Sequence, residues 1–475
     1  MSYSHKAFST PIKAFSFILL CSLFFQCSEE AILLTSVNDI SNATTTGTTT
    51  AATTGDCGCT YTVPASAYRI DAQALGLKPG AVICLKAGVA YKQLVFKNVR
   101  GTATAPIIIK NCGGTAIING GTQWFGIKTE YSSFFRITGG TVDGNYGIKI
   151  TGGRQSLHLD LLTTNVEVDH VEISNSGFAG VMAKTEPSCD NATIRGNFVM
   201  RDVSLHHNYI HDTGAEAFYV GHNYYRSGIS TPCGTRLPGV LEGVKIYNNI
   251  IKNSGWESIQ VASTPKGAEV YNNRIENYGV KNVLYQNHGV QFGEGGIANF
   301  YGNFIKGGKG NGVMIIGNAE NFVHNNVIVN TGGHGIFCDD RYATGLGFKF
   351  IHNTIVNSGL DGIRIYADNV PMNLVYNNVI VNPKSYATYK YPRTGNDAYV
   401  YLLGKSVKIT QLNNYFTRDI NAPKFKSPSA FNYGLNTGSP AINKGTNIAV
   451  YNISRDYAQN PRLKGTAYDI GAYEY

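Results

Sequence analysis

The sequence predicts an all-β chain, a single-stranded parallel β-helix (solenoid) with N- and C-terminal caps. Two observations predict it. One phrase recurs, in VKIYNNIIKNSG, AEVYNNRIENYG, IANFYGNFIKGG, NFVHNNVIVNTGG, FKFIHNTIVNSG and MNLVYNNVIVN, placing an asparagine at Asn249, Asn273, Asn303, Asn326, Asn353 and Asn378 in steps of 24, 30, 23, 27 and 25 residues. Within each phrase apolar residues alternate, as in Val244 with Ile246 or Val313 with Ile315, which is the period-2 signature of a strand with one buried face. A unit of this size cannot bury its apolar face alone. Successive coils must therefore stack, strand on parallel strand, about 4.8 Å apart.

Residues 1–26 hold Lys6 and Lys13 and then an apolar run over 14–25, too short to span a membrane and read as a secretory signal. FFQCSEE resembles a bacterial lipoprotein signal, which implies that Cys27 becomes the acylated first residue, held by a lipid anchor at the outer membrane and cell surface. Glu29 and Glu30 resemble the acidic pair after the anchor of Bacteroidetes surface lipoproteins. Gln26 departs from the small residue usual before such a cysteine, and an ordinary signal with a soluble secreted product is the alternative. Residues 27–56, rich in Thr, Ser, Asn and Ala, are expected to form a flexible tether.

The formal charge is +9, or +7 without residues 1–26, which carry two lysines and no acid. That balance suits acidic polymers. With no basic helix, zinc spacing or aromatic-basic RNA motif, no nucleic acid is expected as partner, and the chain is expected to be a monomer. Export agrees with the cysteines. Cys57, Cys59, Cys84 and Cys112 can close two bridges in a pairing left open, Cys189 and Cys233 flank one coil and can pair, and Cys338 reads as a buried free thiol. CGC at 57–59 lacks the second Cys or His pair of a zinc site.

Residues 57–153 are expected to form the N-terminal cap and first coils. YRIDAQALGLKPGAVICLKAGVAYKQLVFKNVRGTATAPIIIKNCGG resembles the opening segment of many extracellular β-helices, which covers the terminal coil. Residues 154–415 carry the repeats, and over 166–415 the Asn phrase resembles the stacked asparagine ladders of right-handed β-helix proteins of the pectate lyase type. This implies a right-handed coil whose asparagines satisfy turn backbone groups. Insertions at 186–201 and 224–239 mark a functional face or support a Cys189–Cys233 bridge. Residues 416–475 end in DIGAYEY and resemble the closing segment of bacterial secreted β-helices, with Ile470, Ala472, Tyr473 and Tyr475 expected in a final strand over the last coil.

Aligning the strand after each glycine turn gives AGVMAKT, EAFYVGH, ESIQVAS, HGVQFGE, NGVMIIG, HGIFCDD and DGIRIYA. The third and fifth places face inward; the first, the fourth and those after the fifth are assigned to the outside. One outward ladder is then Ala179, Glu216, Glu257, His288, Asn311, His334 and Asp361, flanked by Met182, Tyr219, Gln260, Gln291, Met314, Phe337 and Arg364. Glu216 and Glu257 become adjacent carboxylates, which leaves one protonated acid or a Ca2+ site. His288 and His334 fall two rungs apart, roughly 10 Å. The row offers acids and imidazoles for proton transfer, beside rings and amides that stack on or hydrogen-bond to sugars.

The chain therefore reads as an exported carbohydrate-active protein, a polysaccharide lyase-like enzyme on an acidic glycan. Its candidate catalytic residues are His288, His334, Lys184, Glu216, Glu257 and Asp361, and Tyr219, Gln260, Gln291, Phe337, Arg341 and Arg364 are the candidate substrate contacts. Glu216 and Glu257 would hold Ca2+ or substrate, His288 or Lys184 would be the base, and Arg364 the carboxylate neutraliser. GGHGIFCDDR followed one coil later by GIRIYA resembles polygalacturonase-type hydrolases through His334 and Arg364, which implies a hydrolase with Glu216, Glu257 or Asp361 as acid and base. Tyr366 stands where that family has lysine, and Asn311 where its paired aspartates belong. A non-catalytic glycan-binding or adhesion protein is the third reading. His206, His207, His211 and His222 cluster around one coil, but alternation sends His206 and His207 to opposite faces, against a shared ligand set.

Overall fold

The computed structural model describes residues 57–475 except 317–318, 342–344 and 389–391; the expected signal over 1–26, Cys27 and the tether over 27–56 lie outside the described residues. Each coil lays down three short strands. Val244–Tyr247, Ile250–Ser254 and Ile259–Val261 belong to three different sheets, and the next coil begins with Thr264–Tyr271, back in the first. In that order the sheets are here called I, II and III, and they contain 13, 12 and 12 strands. Every pairing between coils is parallel, as in Val244↔Ala268, Ile250↔Arg274 and Ile259↔Val290. The chain is a right-handed parallel β-helix.

Many inward positions are β-branched or aromatic, so they fill a pleated surface well. Ile210, Ile251, Ile275, Ile305, Ile328, Ile355 and Ile380 form an isoleucine column along the inside of sheet II, all fully buried. At the corner between sheets I and II the recurrent asparagines make an unbroken ladder. Asn249, Asn273, Asn303, Asn326 and Asn353 each donate both the backbone N–H and Nδ2 to Oδ1 of the asparagine one coil on, at 2.9–3.1 Å, and the ladder runs from Asn208 to Asn414. The residue before each is left-handed, with φ of 53–55° at Asn248, Asn272, Asn325, His352 and Asn377, a conformation that asparagine tolerates well.

Disulfides join Cys57 to Cys112, Cys59 to Cys84 and Cys189 to Cys233, and Cys338 is buried and free. The CGC cysteines are thereby committed to bridges. The closing segment departs from expectation: residues 466–475 hold no strand. Ile470 and Ala472 instead lie on the outer side of sheet II, against Val327, Val329, Val356, Val379 and Val381. The Ala472 N–H donates to Thr354 Oγ1 at 2.9 Å, and Asn325 Nδ2 to the Arg455 carbonyl at 2.7 Å, so the tail clasps the flank across several coils. Its reason is in the runs VIV, TIV and VIV, which place apolar side chains on both faces of the strand and need a cover.

Candidate functional site

The expected row exists as a row. The backbone N–H of Gly180, Ala217, Gly289, Gly312 and Gly335 donates to the carbonyl of Glu216, Glu257, Asn311, His334 and Asp361 on the following coil, which sets the first-place residues on successive rungs. It does not line an open surface. Glu257 and Asp361 are 0% exposed, Glu216 1%, and His288 and His334 5% each. Simple alternation fails at the second place. A Cβ on Gly312 or Gly335 would lie 2.5 Å from the inward Ile328 or Ile355, so places two and three both face the core. First-place side chains are left in the corner, turned along the ladder. His288 Nδ1 accepts the Asn311 N–H at 3.1 Å, and Asn311 Oδ1 accepts that of His334 at 2.8 Å.

At the N-terminal end two acids are stranded in this corner. Burial pushes the Glu216 carboxyl up to about 7; burial and then the charge of Glu216 push Glu257 well above the carboxylate range. Neither Glu257 oxygen has a hydrogen-bond partner among the described residues. Lys184 Nζ is 2.5 Å from Glu186 Oε1 and 4.6 Å over the Tyr219 ring. Burial opposes the Lys184 charge, but Tyr219 and Glu186 outweigh it and raise the pKa, so the lysine is an ammonium at neutral pH rather than the expected base. Burial likewise opposes the Glu186 charge, yet His222, 2.9 Å away, and Lys184 hold that carboxyl down at about 2. Two buried carboxyls that hold their protons well above the ordinary glutamate range, next to an ammonium, do not supply the six to eight oxygens of a Ca2+ shell.

A stability test follows. The folded chain keeps a proton on Glu216 that the unfolded chain releases above the ordinary glutamate pKa. Stability is therefore fullest below that pKa and declines as pH rises towards 7, by roughly 3 kcal/mol for a shift of this size. Glu216→Gln is expected to flatten that decline in denaturant titrations across this pH range; an unchanged slope would place the proton elsewhere.

Gln260 and Gln291, expected to touch sugar, are covered. Gln260 Oε1 accepts Asn223 Nδ2 at 2.9 Å, and the Arg226 N–H donates to Glu294 Oε2 at 3.1 Å, which draws the second insertion across this part of sheet III. The two insertions are joined by Cys189–Cys233 and by the parallel pair Val199–Arg201 with Val240–Glu242.

The C-terminal end is basic. Arg364 Nη1 stands 3.2 Å from His334 Nε2, and His334 Nδ1 is 3.3 Å from Asp361 Oδ2. His334 Nδ1 accepts the Asp361 backbone N–H at 3.2 Å and a guanidinium only donates, so both ring nitrogens face donors, and Asp361 Oδ2 stands 3.3 Å from Nδ1 without a hydrogen bond to it. Burial lowers the His334 pKa in spite of Asp361, which leaves a neutral imidazole at pH 7. Arg393 Nε lies 3.4 Å from Asp361 Oδ1, with its guanidinium 3.2 Å over the Tyr401 ring. Phe337, Arg364 and Tyr401 are half-buried and paired rung to rung on neighbouring strands of sheet III. Arg341 is turned away, its Nε 2.7 Å from Asp339 Oδ2. Arg393 and Tyr401 were not legible because they follow Pro383, where the repeat loosens; Tyr401 pairs with Arg364 across coils.

His206 and His207 do not face opposite ways: their Nδ1 atoms are 2.7 Å apart, because His207 is left-handed at φ 52° and the strand has ended. On the outer face of sheet I, His206, Tyr247, Tyr271, Tyr301 and His324 stack at 4.6–5.0 Å with planes within 18°. Such a stack buries its ring faces and shows edges, so it stiffens the sheet without offering a platform for a sugar ring.

No curated protein matches the sequence. Among solved structures, the chain is similar to pectate lyase Pel9A at 16% identity, over 85% of this chain and 90% of that one, with a TM-score of 0.49. It is similar to a GH136 lacto-N-biosidase from Eubacterium ramulus at 12% identity, over 72% of this chain and 63% of that one, TM-score 0.44. It is also similar to a PL6 family polysaccharide lyase from Pseudopedobacter saltans at 13% identity, over 78% and 96%, TM-score 0.43. The family described as right handed beta helix region matches residues 240–416, the stretch that carries the asparagine ladder from Asn249 to Asn414.

Proposed function

We propose that this is an exported, carbohydrate-active protein that takes an acidic polysaccharide along sheet III and cleaves it by β-elimination at the His334–Arg364 end. The observation that carries the reading is the juxtaposition of Arg364, 3.2 Å from His334 Nε2, with the Asp361 carboxylate 3.3 Å from Nδ1 and Arg393 3.4 Å from that carboxylate. Arg364, with Arg393 beside it, neutralises the carboxylate of a uronate. That lowers the cost of removing the proton on the adjacent carbon. For this step the imidazole proton sits on Nδ1, facing Asp361 Oδ2 3.3 Å away in place of the Asp361 backbone N–H; Nε2 then takes the substrate proton as Arg364 turns to the substrate, Asp361 holds the imidazolium that forms, and the 4-linked sugar leaves. Phe337 and Tyr401 give ring surface at the same end. Export through the signal, with Cys27 as anchor, would bring sheet III to where such polymers occur.

Incubation with pectate, alginate or a glycosaminoglycan is expected to generate the ultraviolet absorbance of an unsaturated product. Silence on all three, with and without calcium, rejects elimination. Binding without turnover is the second reading, favoured by the complete coverage of Glu216, Glu257 and Asp361. It predicts retained glycan affinity in His334→Ala and no unsaturated product from the unaltered chain. Adjacent rungs put Glu216 and Glu257 about 4.8 Å apart, near the spacing of a retaining hydrolase, but neither meets solvent.

A further inference from the structure

We propose that the turns between sheets II and III near the N-terminal end form a second binding site for an acidic glycan, in which Trp124 takes the face of a sugar ring and Arg154 and Lys92 take uronate carboxylates. The site rests on the acidic-glycan reading but not on the cleavage step. Arg154 stands seven rungs of sheet III from Arg364, about 34 Å along the coil axis.

Backbone bonds set the side chains of this edge on successive rungs. The Arg154 N–H donates to the Gln123 carbonyl at 2.7 Å, that of Phe178 to Arg154 at 2.7 Å, that of Ala215 to Phe178 at 2.8 Å, and that of Trp256 to Ala215 at 3.2 Å. Both tryptophans of the chain are therefore on one edge. The Arg154 guanidinium lies 5.0 Å from the Trp124 ring centre and 5.8 Å from that of Phe178, within cation–π reach of both. Only a methyl group stands on the Ala215 rung, and the Phe178 and Trp256 rings meet at right angles with centres 5.6 Å apart. Phe178 and Trp256 are half-buried, whereas Trp124 is 64% exposed.

Beside Trp124 the surface is concave. A cavity of about 620 Å³ is lined by Lys92, Ile117, Asn119 and Gln123, and a neighbouring one of about 480 Å³, which shares Lys92 and Gln123, reaches Tyr68. Ile117 and Tyr68 are exposed as well, so apolar surface is left in water along the whole wall. A sugar ring suits such a wall, because its C–H face lies against an aromatic ring while its hydroxyls reach the amides. A concave wall does not lie flat on a bilayer. Charge selects an acidic glycan: segments 87–95, 115–126, 150–158 and 174–183, which build this part of the edge, contain Lys92 and Arg154 and no Asp or Glu. Both cations are exposed, and neither makes an ion pair among the described residues. The neighbouring rings restrict Arg154 without taking its N–H donors, which stay available for a carboxylate.

The test is calorimetric titration of the full chain, carrying His334→Ala so that polymer is not consumed, with pectate, alginate and hyaluronan, and separately with neutral dextran. At least one of the three polyuronates is expected to bind and to change the tryptophan fluorescence, and dextran to bind more weakly. Trp124→Ala and Arg154→Ala are each expected to weaken binding of that polyuronate at least about fivefold. Both side chains are exposed, and circular dichroism checks that the variants fold. With His334 intact, the same two changes are expected to raise KM for the polymer in preference to lowering kcat, because they act far from the proton transfer. Absence of unsaturated product from a chain that binds in this way rejects elimination and keeps the site. The site is overturned if no polyuronate binds, if dextran binds as tightly, or if both variants fold and bind within about twofold of their parent. A fluorescence change with phosphatidylglycerol vesicles and none with a polyuronate also overturns it, in favour of a membrane contact.

Discussion

His334→Ala is expected to lower turnover on an acidic glycan by about 10²–10⁴-fold, the usual contribution of a positioned general base, while leaving the melting temperature close to that of the unaltered chain. The side chain stands between Arg364 and Asp361, and loss of the ring leaves the Asp361 carboxylate with Arg393 and Arg364 with the Tyr401 ring. Arg364→Lys separates the two roles in the pair. A lysine keeps the charge but lacks the planar fork that can face a carboxylate and an imidazole together, so it is expected to lose turnover with His334 intact. The pH profile gives a second readout. Burial lowers the His334 pKa, so the neutral base persists to more acidic pH than a free imidazole would, and activity falls as pH drops through that lowered value. Unchanged turnover in both variants, or an acid limb that His334→Ala leaves in place, would remove His334 from the chemistry.

Fold and site were not equally legible in the sequence. The asparagine phrase announces the solenoid because each Asn does two local jobs that no other side chain does together: it accepts from the coil before and donates to the coil after. The unbroken VIV and TIV runs also state that sheet II is covered on its outer side, although which segment covers it is a long-range fact. The tail that does so is over 70 residues further on, past Val381, and no period points to it.

The site was legible as a register and illegible as a surface. Glu216, Glu257, His288, His334 and Asp361 do fall on successive rungs, because parallel pairing preserves register from coil to coil. Whether a side chain is outside depends on backbone bends that period-2 reasoning ignores. The glycine at place two turns its missing Cβ into the core, and the left-handed φ at His207 brings its Nδ1 within 2.7 Å of His206 Nδ1. Exposure further depends on what lies above: the second insertion covers Gln260, and Arg393 arrives from a segment with no repeat.

Asn303→Ala is expected to cost about 3–5 kcal/mol. Asn303 is fully buried, and its Nδ2 donates to the Val270 and Tyr301 carbonyls at 3.0 and 2.9 Å as well as to Asn326 Oδ1. Its Oδ1 accepts both the N–H and Nδ2 of Asn273 at 3.0 Å. Alanine strands the Asn273 N–H and removes a donor from the Val270 carbonyl where water does not reach, at about 1–3 kcal/mol for each group before relaxation, while the Tyr301 carbonyl keeps the Asn272 N–H and Asn273 Nδ2 keeps the Ile246 carbonyl. Asn303→Asp is no rescue: the carboxylate keeps the acceptor but puts a negative charge against two carbonyl oxygens. Asn248→Gly changes the left-handed neighbour on the outside of the same turn and is expected to be almost neutral, since φ of 53° is open to glycine. Denaturant unfolding followed by circular dichroism compares the three variants. A loss below about 1 kcal/mol in Asn303→Ala would mean that the coils are held by apolar packing alone, and that the ladder reports the fold without supporting it.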